Sequence, residues 1–422
     1  MTGVRSAAEF SFAFLSTNKL WGGSEELWSR TALALADAGH RVVTGSQTPR
    51  PNITPLDRLE KRGVRHFDLR NTGMIPFKIR HLIDACTPFT RMTQAAKIDH
   101  LFRSARPDLV IISQGLNYEG WQWAERCRQV GLSYVLISQK ADDMHWPRDE
   151  IRRAFMDAHR GAVESLFVSN HNLRLTEEQI AGSLPNARVV ANPFLVPWAK
   201  RDDWPDTGNG FRLACVARLD TVEKGQAALL RVLAQPKWRE RPLRVSFYGA
   251  GPDAEGLREM ARYLDVERAD FPGFIATPER VWDDHHGLVL CSRCEGLPLA
   301  VVETMLSGRV AVITPAGGGA EVIEHGRTGF VAAGHSEFEI DAILEEAWAS
   351  RDDWQAIGEA AGRSIRTQIP SDPSATLAAE LSILAARQGA HNRAPSSDTG
   401  LPVGHAFERA AERTLAPADQ SA

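Results

Sequence analysis

Short runs of β-type apolar residues alternate along the chain with amphipathic stretches, the pattern of parallel sheets covered by helices. In the first half, the runs 10–16 (FSFAFLS), 41–46, 108–113, 133–138, 165–169 and 188–194 predict strands. Helices are predicted from Ser24 to about Asp37, closed by Gly39, around 119–129, and from Asp149. The Arg-rich stretch from 47 to 105 carries little pattern. Between Pro193 and Gly210 prolines, glycines and mixed charge defeat either periodicity, which marks a linker. A second alternation follows, with strands at 211–219, 243–251, 287–292, 310–315 and 329–333. Its helices are placed after Lys224, at 254–264 and 298–307, from Glu337, from Asp352 and near 373–387. The fold class is therefore α/β, two Rossmann-like doubly wound domains. The expected division is 1–195, a linker 196–210, a second domain 211–370, a helix 371–387 crossing back to the first domain, and a mostly disordered tail 388–422.

Composition narrows the class. Of 422 residues, 43 % are hydrophobic and 24 % charged, with 33 Gly and 23 Pro, which excludes collagen, coiled coil and wholesale disorder. A net charge of -4 offers no general basic field. No nucleic-acid partner is expected, membrane contact is at most peripheral, and any bound anion is held locally. No apolar run approaches a spanning helix, and the five cysteines are odd in number and scattered, so a cytoplasmic protein is expected.

Candidate chemistry gathers in a few loops. The segment 291–314 runs from a buried strand through a polar loop into a helix with Pro298 near its first turn and Gly308 just past its last. Glu295 precedes that helix. Glu303 lies more than a turn inside it among Ala300, Val301, Val302, Met305 and Leu306, where a carboxylate needs a hydrogen-bonding partner. The local pattern fits equally a helix-capping Glu295 and a solvated Glu303. In VARLDTVEKGQ (216–226), Arg218 at a strand end and Lys224, opening a helix, either clamp a phosphate or are ordinary surface cations. LWGGSEELW (20–28) puts Gly22 and Gly23 between strand and helix, with Ser24 as N-cap. Gly317, Gly318 and Gly319 precede another helix start.

Other signals are weaker. YGAGPDA (248–254) satisfies a loose dinucleotide fingerprint through Gly249, Gly251 and Ala254, but it follows the second strand of its domain and contains Pro252. Cys291 and Cys294 form one C-x-x-C with no second pair, so zinc is not expected there. No D-x-D, H-E-x-x-H or G-x-S-x-G occurs, and no metal or other cofactor is expected. Trp21, Trp121, Trp123 and Trp146 fall in or beside predicted strand-to-helix loops, at a cleft mouth or simply in the core.

Taken in order, WGGSEE, VARLD-x4-KG, FYGAGP, FPGF, SRCEGLPLAVVE and GGGAEVIEHGRTGF resemble the family four glycosyltransferases, retaining enzymes of the two-domain B-type (GT-B) fold. Glu295 and Glu303 bracket seven residues, as in that family's E-x7-E signature. The resemblance implies that Arg218 and Lys224 hold a donor diphosphate, Glu295 the sugar hydroxyls and Glu303 the ribose. Backbone N–H groups of Gly296, Leu297 and Leu299 would face the phosphates, and Gly249 and Gly273 would join the donor site. Gly22 and Gly23 would approach from the first, acceptor-side domain. A nucleotide sugar, UDP- or GDP-linked, is the partner implied, its acceptor unnamed. The family's histidine after the strand 133–138 has no direct counterpart, and His145, Asp142 or Gln139 is left to fill its role. The competing readings are a nucleotide-sugar 2-epimerase on the same fold and a non-catalytic or NAD-binding module built on YGAGPDA.

Overall fold

The computed structural model of the chain describes residues 9–49, 54–70, 93–199 and 203–392. The first domain is a parallel sheet of β1 (Ser11–Ser16), β2 (Arg41–Ser46), β3 (Arg65–Asp68), β4 (Leu109–Leu116), β5 (Tyr134–Lys140), β6 (Glu164–Phe167) and β7 (Ala187–Val189). Its strand order is β3-β2-β1-β4-β5-β6-β7. The second sheet holds β8 (Phe211–Val216), β9 (Leu243–Tyr248), β10 (Ala269–Gly273), β11 (Gly287–Leu290), β12 (Val310–Ile313) and β13 (Phe330–Val331), in the order β10-β9-β8-β11-β12-β13. The chain is thus α/β with two Rossmann-like sheets.

Central strands are apolar on both faces because helices cover both. In β4, Leu109 and Ile111 pack with Leu27 and Trp28 of the helix Gly23–Asp37, while Val110 and Ile112 face Ile98 and Leu101 on the opposite side. The last described helix, Pro373–Asn392, follows the second domain yet lays Leu377, Leu381, Leu384 and Ala385 onto the same core as Leu27 and Trp28. Each such leucine, fully buried, contributes about 1.5–3 kcal/mol.

Several elements differ from the sequence expectation. The stretch 47–105 carries two helices, Thr54–Lys61 and Gln94–Ala105, and the edge strand β3, whose residues are only half-buried and so lack an apolar signature. The helix Asn170–Ile180 and strand β10 also escape the pattern. Strand β7 ends at Val189 rather than 194, and β8 at Val216 rather than 219, where the chain turns away through loop hydrogen bonds such as Leu219 N–H to Ala250. The helix expected to stop at 387 continues to Asn392; the rest of the expected disordered tail lies outside the described residues.

Candidate active site

In both sheets the strand order reverses between the first strand and the fourth, β1/β4 and β8/β11, and the loops leaving those carboxyl ends line the crevice where ligands bind in such folds. In the second domain the loops after β8 and β11 meet. Lys224 Nζ donates to Glu295 Oε1 at 2.6 Å and to the Cys294 carbonyl at 3.2 Å, and Ser292 Oγ donates to the same carboxylate at 2.8 Å. This contact depends on Gly225, which has φ +67°; a Cβ there would lie 2.0 Å from the Cys291 carbonyl oxygen. Lys224 does not open a helix as expected. Asp220 caps a single turn, Thr221–Lys224, which Lys224 closes, and the next helix starts at Gln226. Arg218 Nη2 reaches Glu223 Oε2 at 2.6 Å and Asp220 Oδ2 at 3.1 Å.

Beyond Glu295 the loop enters the helix Leu299–Leu306, whose N-cap is Pro298, one position later than expected. First-turn N–H groups of a helix have no intrahelical partner and favour an anion. Glu303 is buried on this helix and accepts from the Leu195 N–H at 2.9 Å; burial pushes its carboxyl up to about 7. Gly249, at φ +141°, has no room for a Cβ, which would meet the Ala217 carbonyl oxygen at 2.0 Å. Its N–H bonds the carbonyl of Gly273 at 2.9 Å, so the two stand together beside the end of β8.

The first domain closes against this surface. Its first helix begins at Gly23 with Gly22 as N-cap; Ser24, the expected cap, instead accepts from Asn18 Nδ2. A Cβ on Gly23 would lie 2.9 Å from Leu299 Cδ1, and one on Gly296 would lie 2.0 Å from the Gln139 carbonyl oxygen. The Gly318 N–H donates to the Gly296 carbonyl at 2.6 Å, and Glu321 accepts from the Asn170 N–H at 3.0 Å. Lys140, the last residue of β5, reaches across to Glu223 Oε1 at 2.9 Å. Beside the glycine loop, Glu25 is fully buried, accepts from Ser16, Asn18 and Trp28, and is raised by burial to about 7.

Residues 210–346 match the family described as Glycosyl transferases group 1. The chain is a glycosyltransferase. It is 27 % identical over 284 residues, 61 % of this chain and 71 % of the relative, to the GDP-mannose-dependent alpha-(1-6)-phosphatidylinositol monomannoside mannosyltransferase of Mycobacterium tuberculosis. Its fold is that of Anabaena HepE in complex with UDP and glucose, with a TM-score of 0.69, 19 % identity, and coverage of 88 % of this chain and 99 % of the other. Sucrose-phosphate synthase from Thermosynechococcus elongatus superposes with a TM-score of 0.68 at 14 % identity, over 90 % of this chain and 99 % of that one. The two facing Rossmann-like domains are thus the GT-B architecture.

Within the glycosyltransferase, Lys224 and Glu295 touch, Arg218 stands beside them on Glu223, and Gly296, Leu297 and Leu299 lead into the helix that bears Glu303. His145 sets its ring against Asp142, whose carboxylate also takes the thiol of Cys294, the residue before Glu295. Of the four tryptophans, Trp123 is core, Trp21 packs on Trp28, Trp121 packs partly buried against the first domain's core and Trp146 is exposed. Sequence reasoning missed Lys140, Glu223 and Glu25. Glu223 lies between the two cations of its motif and Lys140 ends a buried strand, and neither carries a local pattern that announces a partner on the facing domain. A separate cavity of about 360 Å³ lies between the domains under the helix Pro373–Asn392, lined in part by Arg188, Leu297, Glu321 and Glu380. Its Arg188 is matched by Glu164 and Glu380.

Proposed function

We propose that this glycosyltransferase moves a sugar from a nucleoside diphosphate sugar to a hydroxyl acceptor with retention of anomeric configuration. The observation that carries the reading is that Arg218 and Lys224, beside the start of the helix Leu299–Leu306, are each held by a carboxylate, Glu223 and Glu295. Cations already satisfied by carboxylates are arranged to exchange them for phosphate oxygens. The donor diphosphate takes Arg218 and Lys224, and Glu295 turns to the sugar hydroxyls. As the anomeric carbon becomes oxocarbenium-like, charge builds on the leaving diphosphate, where two fixed cations and the helix terminus stabilise it without a divalent metal. The acceptor hydroxyl attacks from the face that the diphosphate leaves, and a phosphate oxygen takes its proton.

Glu303, a buried acceptor on the same helix, is assigned to the ribose hydroxyls. Gly22 and Gly23, on the facing domain, leave room for the donor, and Gly249 and Gly273 flank it on the other side. In place of the absent histidine, Gln139 is assigned to the sugar. Its side chain is buried with neither amide end hydrogen-bonded, and its backbone abuts Gly296, whereas His145 and Asp142 are engaged with each other. The mycobacterial relative is named for GDP-mannose and the Anabaena protein was solved with UDP, which supports a nucleoside diphosphate without choosing the base.

Thermal shift with UDP, GDP, ADP and NAD tests the reading. A ligand at 100 times its Kd adds about 2.7 kcal/mol. Stabilisation by a nucleoside diphosphate, with slow hydrolysis of the matching nucleotide sugar, is the expected result. Stabilisation by NAD alone overturns it.

A further inference from the structure

The loops after β5 and β11 also meet at a second cluster, outside the machinery assigned to the leaving group. Cys294 Sγ donates to Asp142 Oδ2 at 2.6 Å. His145 Nδ1 stands 2.9 Å from Asp142 Oδ1 and 3.1 Å from Oδ2. The three potential ligand atoms all lie within 4.8 Å of one another. Asp142 and Cys294 are buried, 5 % and 1 % exposed, while the His145 side chain remains 36 % exposed on the open side. Two ligands come from the first domain and one from the second.

Asp142 Oδ1 also accepts the His145 N–H at 2.9 Å as the cap of the turn Asp143–His145, so the carboxylate is satisfied without the thiol, a weak donor that hydrogen bonding alone would not select for this place. Sulfur, imidazole nitrogen and carboxylate oxygen converging from three residues are the donor set of a thiophilic divalent ion, three protein ligands leaving a fourth position open. Charge agrees. Of the ligands themselves, the Asp142 carboxylate and a Cys294 thiolate bring two negative charges and a neutral His145 none, which a divalent cation balances, while the neighbouring Glu223 is already matched by Lys140 and Arg218.

We propose that Asp142, His145 and Cys294 form a site for a soft divalent cation, of which zinc is the type, that fastens the two domains together across the cleft. On binding, the Cys294 thiol proton passes to solvent as the sulfur–metal bond forms. His145 ligates through the Nδ1 lone pair with its proton on Nε2, and Asp142 exchanges the hydrogen bonds from the thiol and the ring for a carboxylate–metal bond while still capping the His145 N–H. Cys291, three residues earlier, takes no part. The site concerns the contact between the domains and is independent of which donor is used.

The test titrates the untagged full chain with Co²⁺ and then Zn²⁺. The expected result is a thiolate-to-cobalt charge-transfer band saturating at one equivalent with tetrahedral visible bands, bleached by Zn²⁺, and a Zn²⁺-dependent rise in Tm. Cys294→Ser and His145→Ala each lose the band and the Tm rise; His145 is partly exposed, so that variant keeps the fold if Cys294→Ser does not. Cys291→Ser retains both. No thiolate band at saturating Co²⁺, or a band that survives in Cys294→Ser or His145→Ala, overturns the proposal.

Discussion

Lys140 Nζ stands 2.9 Å from Glu223 Oε1, and Glu223 Oε2 in turn accepts from Arg218 at 2.6 Å, so one carboxylate ties the end of β5 to a cation on the facing domain. Both partners of the Lys140 pair are largely shielded from water. A double-mutant cycle of Lys140→Ala and Glu223→Ala is expected to show a coupling of order 0.5–3 kcal/mol by urea denaturation. Additivity within a few tenths would show that the pair does not couple the domains.

Arg218→Ala and Lys224→Ala are expected to lower kcat by about 10²–10³, or about 2.7–4 kcal/mol, more than they weaken donor binding, because their contact strengthens as the leaving group gains charge. Arg218→Lys rescues only in part, since a point charge lacks the planar fork. Steady-state kinetics with a hydrolysable donor decide it. Retention of more than about a tenth of kcat in both alanine variants contradicts the clamp.

Turnover is expected to persist in excess EDTA, because the cations occupy the role that a magnesium ion fills in metal-dependent transfer. Activity lost to EDTA and restored by Mg²⁺ or Mn²⁺ refutes this.

Burial raises the Glu303 carboxyl from 4.5 to about 7. Between those values the folded state holds a proton that the unfolded state has shed. The stability that Glu303 contributes is therefore complete below about pH 4.5 and lost as pH rises to about 7. Glu303→Gln does not titrate, so its stability relative to wild type should climb by on the order of 3 kcal/mol from pH 4.5 to 8. Taking the difference removes the opposing contributions of His159 and His286, whose burial lowers them to about 4. Parallel denaturation curves for the two proteins across that range exclude the effect.

Gly296→Ala places a methyl group 2.0 Å from the Gln139 carbonyl and 2.7 Å from Val168 Cγ2, so the domains cannot close. Turnover should fall at least tenfold, with a larger radius of gyration by solution scattering. Gly22→Ala meets nothing within 4 Å and should leave stability unchanged while raising the donor KM. Equal and small effects of the two changes would deny both glycines their roles.

Most of this architecture could be read from periodicity, because β1, β4, β5 and β11 are buried on both faces and their apolar runs are unbroken. What escaped had no such run. Strand β3 is a half-buried edge, and β10 contains Pro272 and Gly273. Motif order led to Arg218, Lys224 and Glu295, which lie in loops that follow recognisable strands, and to Glu303 through its spacing from Glu295 along the next helix. Lys140 meets Glu223, and Asp142 meets Cys294, across 83 and 152 residues, and no local pattern reports a contact made only when two domains face each other.

The helix Pro373–Asn392 has a consequence for how the protein is born. Leu377, Leu381 and Leu384 cover Leu27 and Trp28, residues that leave the ribosome some 350 positions earlier. The first domain therefore emerges with part of its core bare, and stays so through synthesis of the whole second domain. Its last wall arrives only after the second domain has been made. A ribosome stalled before residue 377 holds a first domain with an open apolar face, a substrate for chaperones, whereas the second domain closes its own core from residues already made.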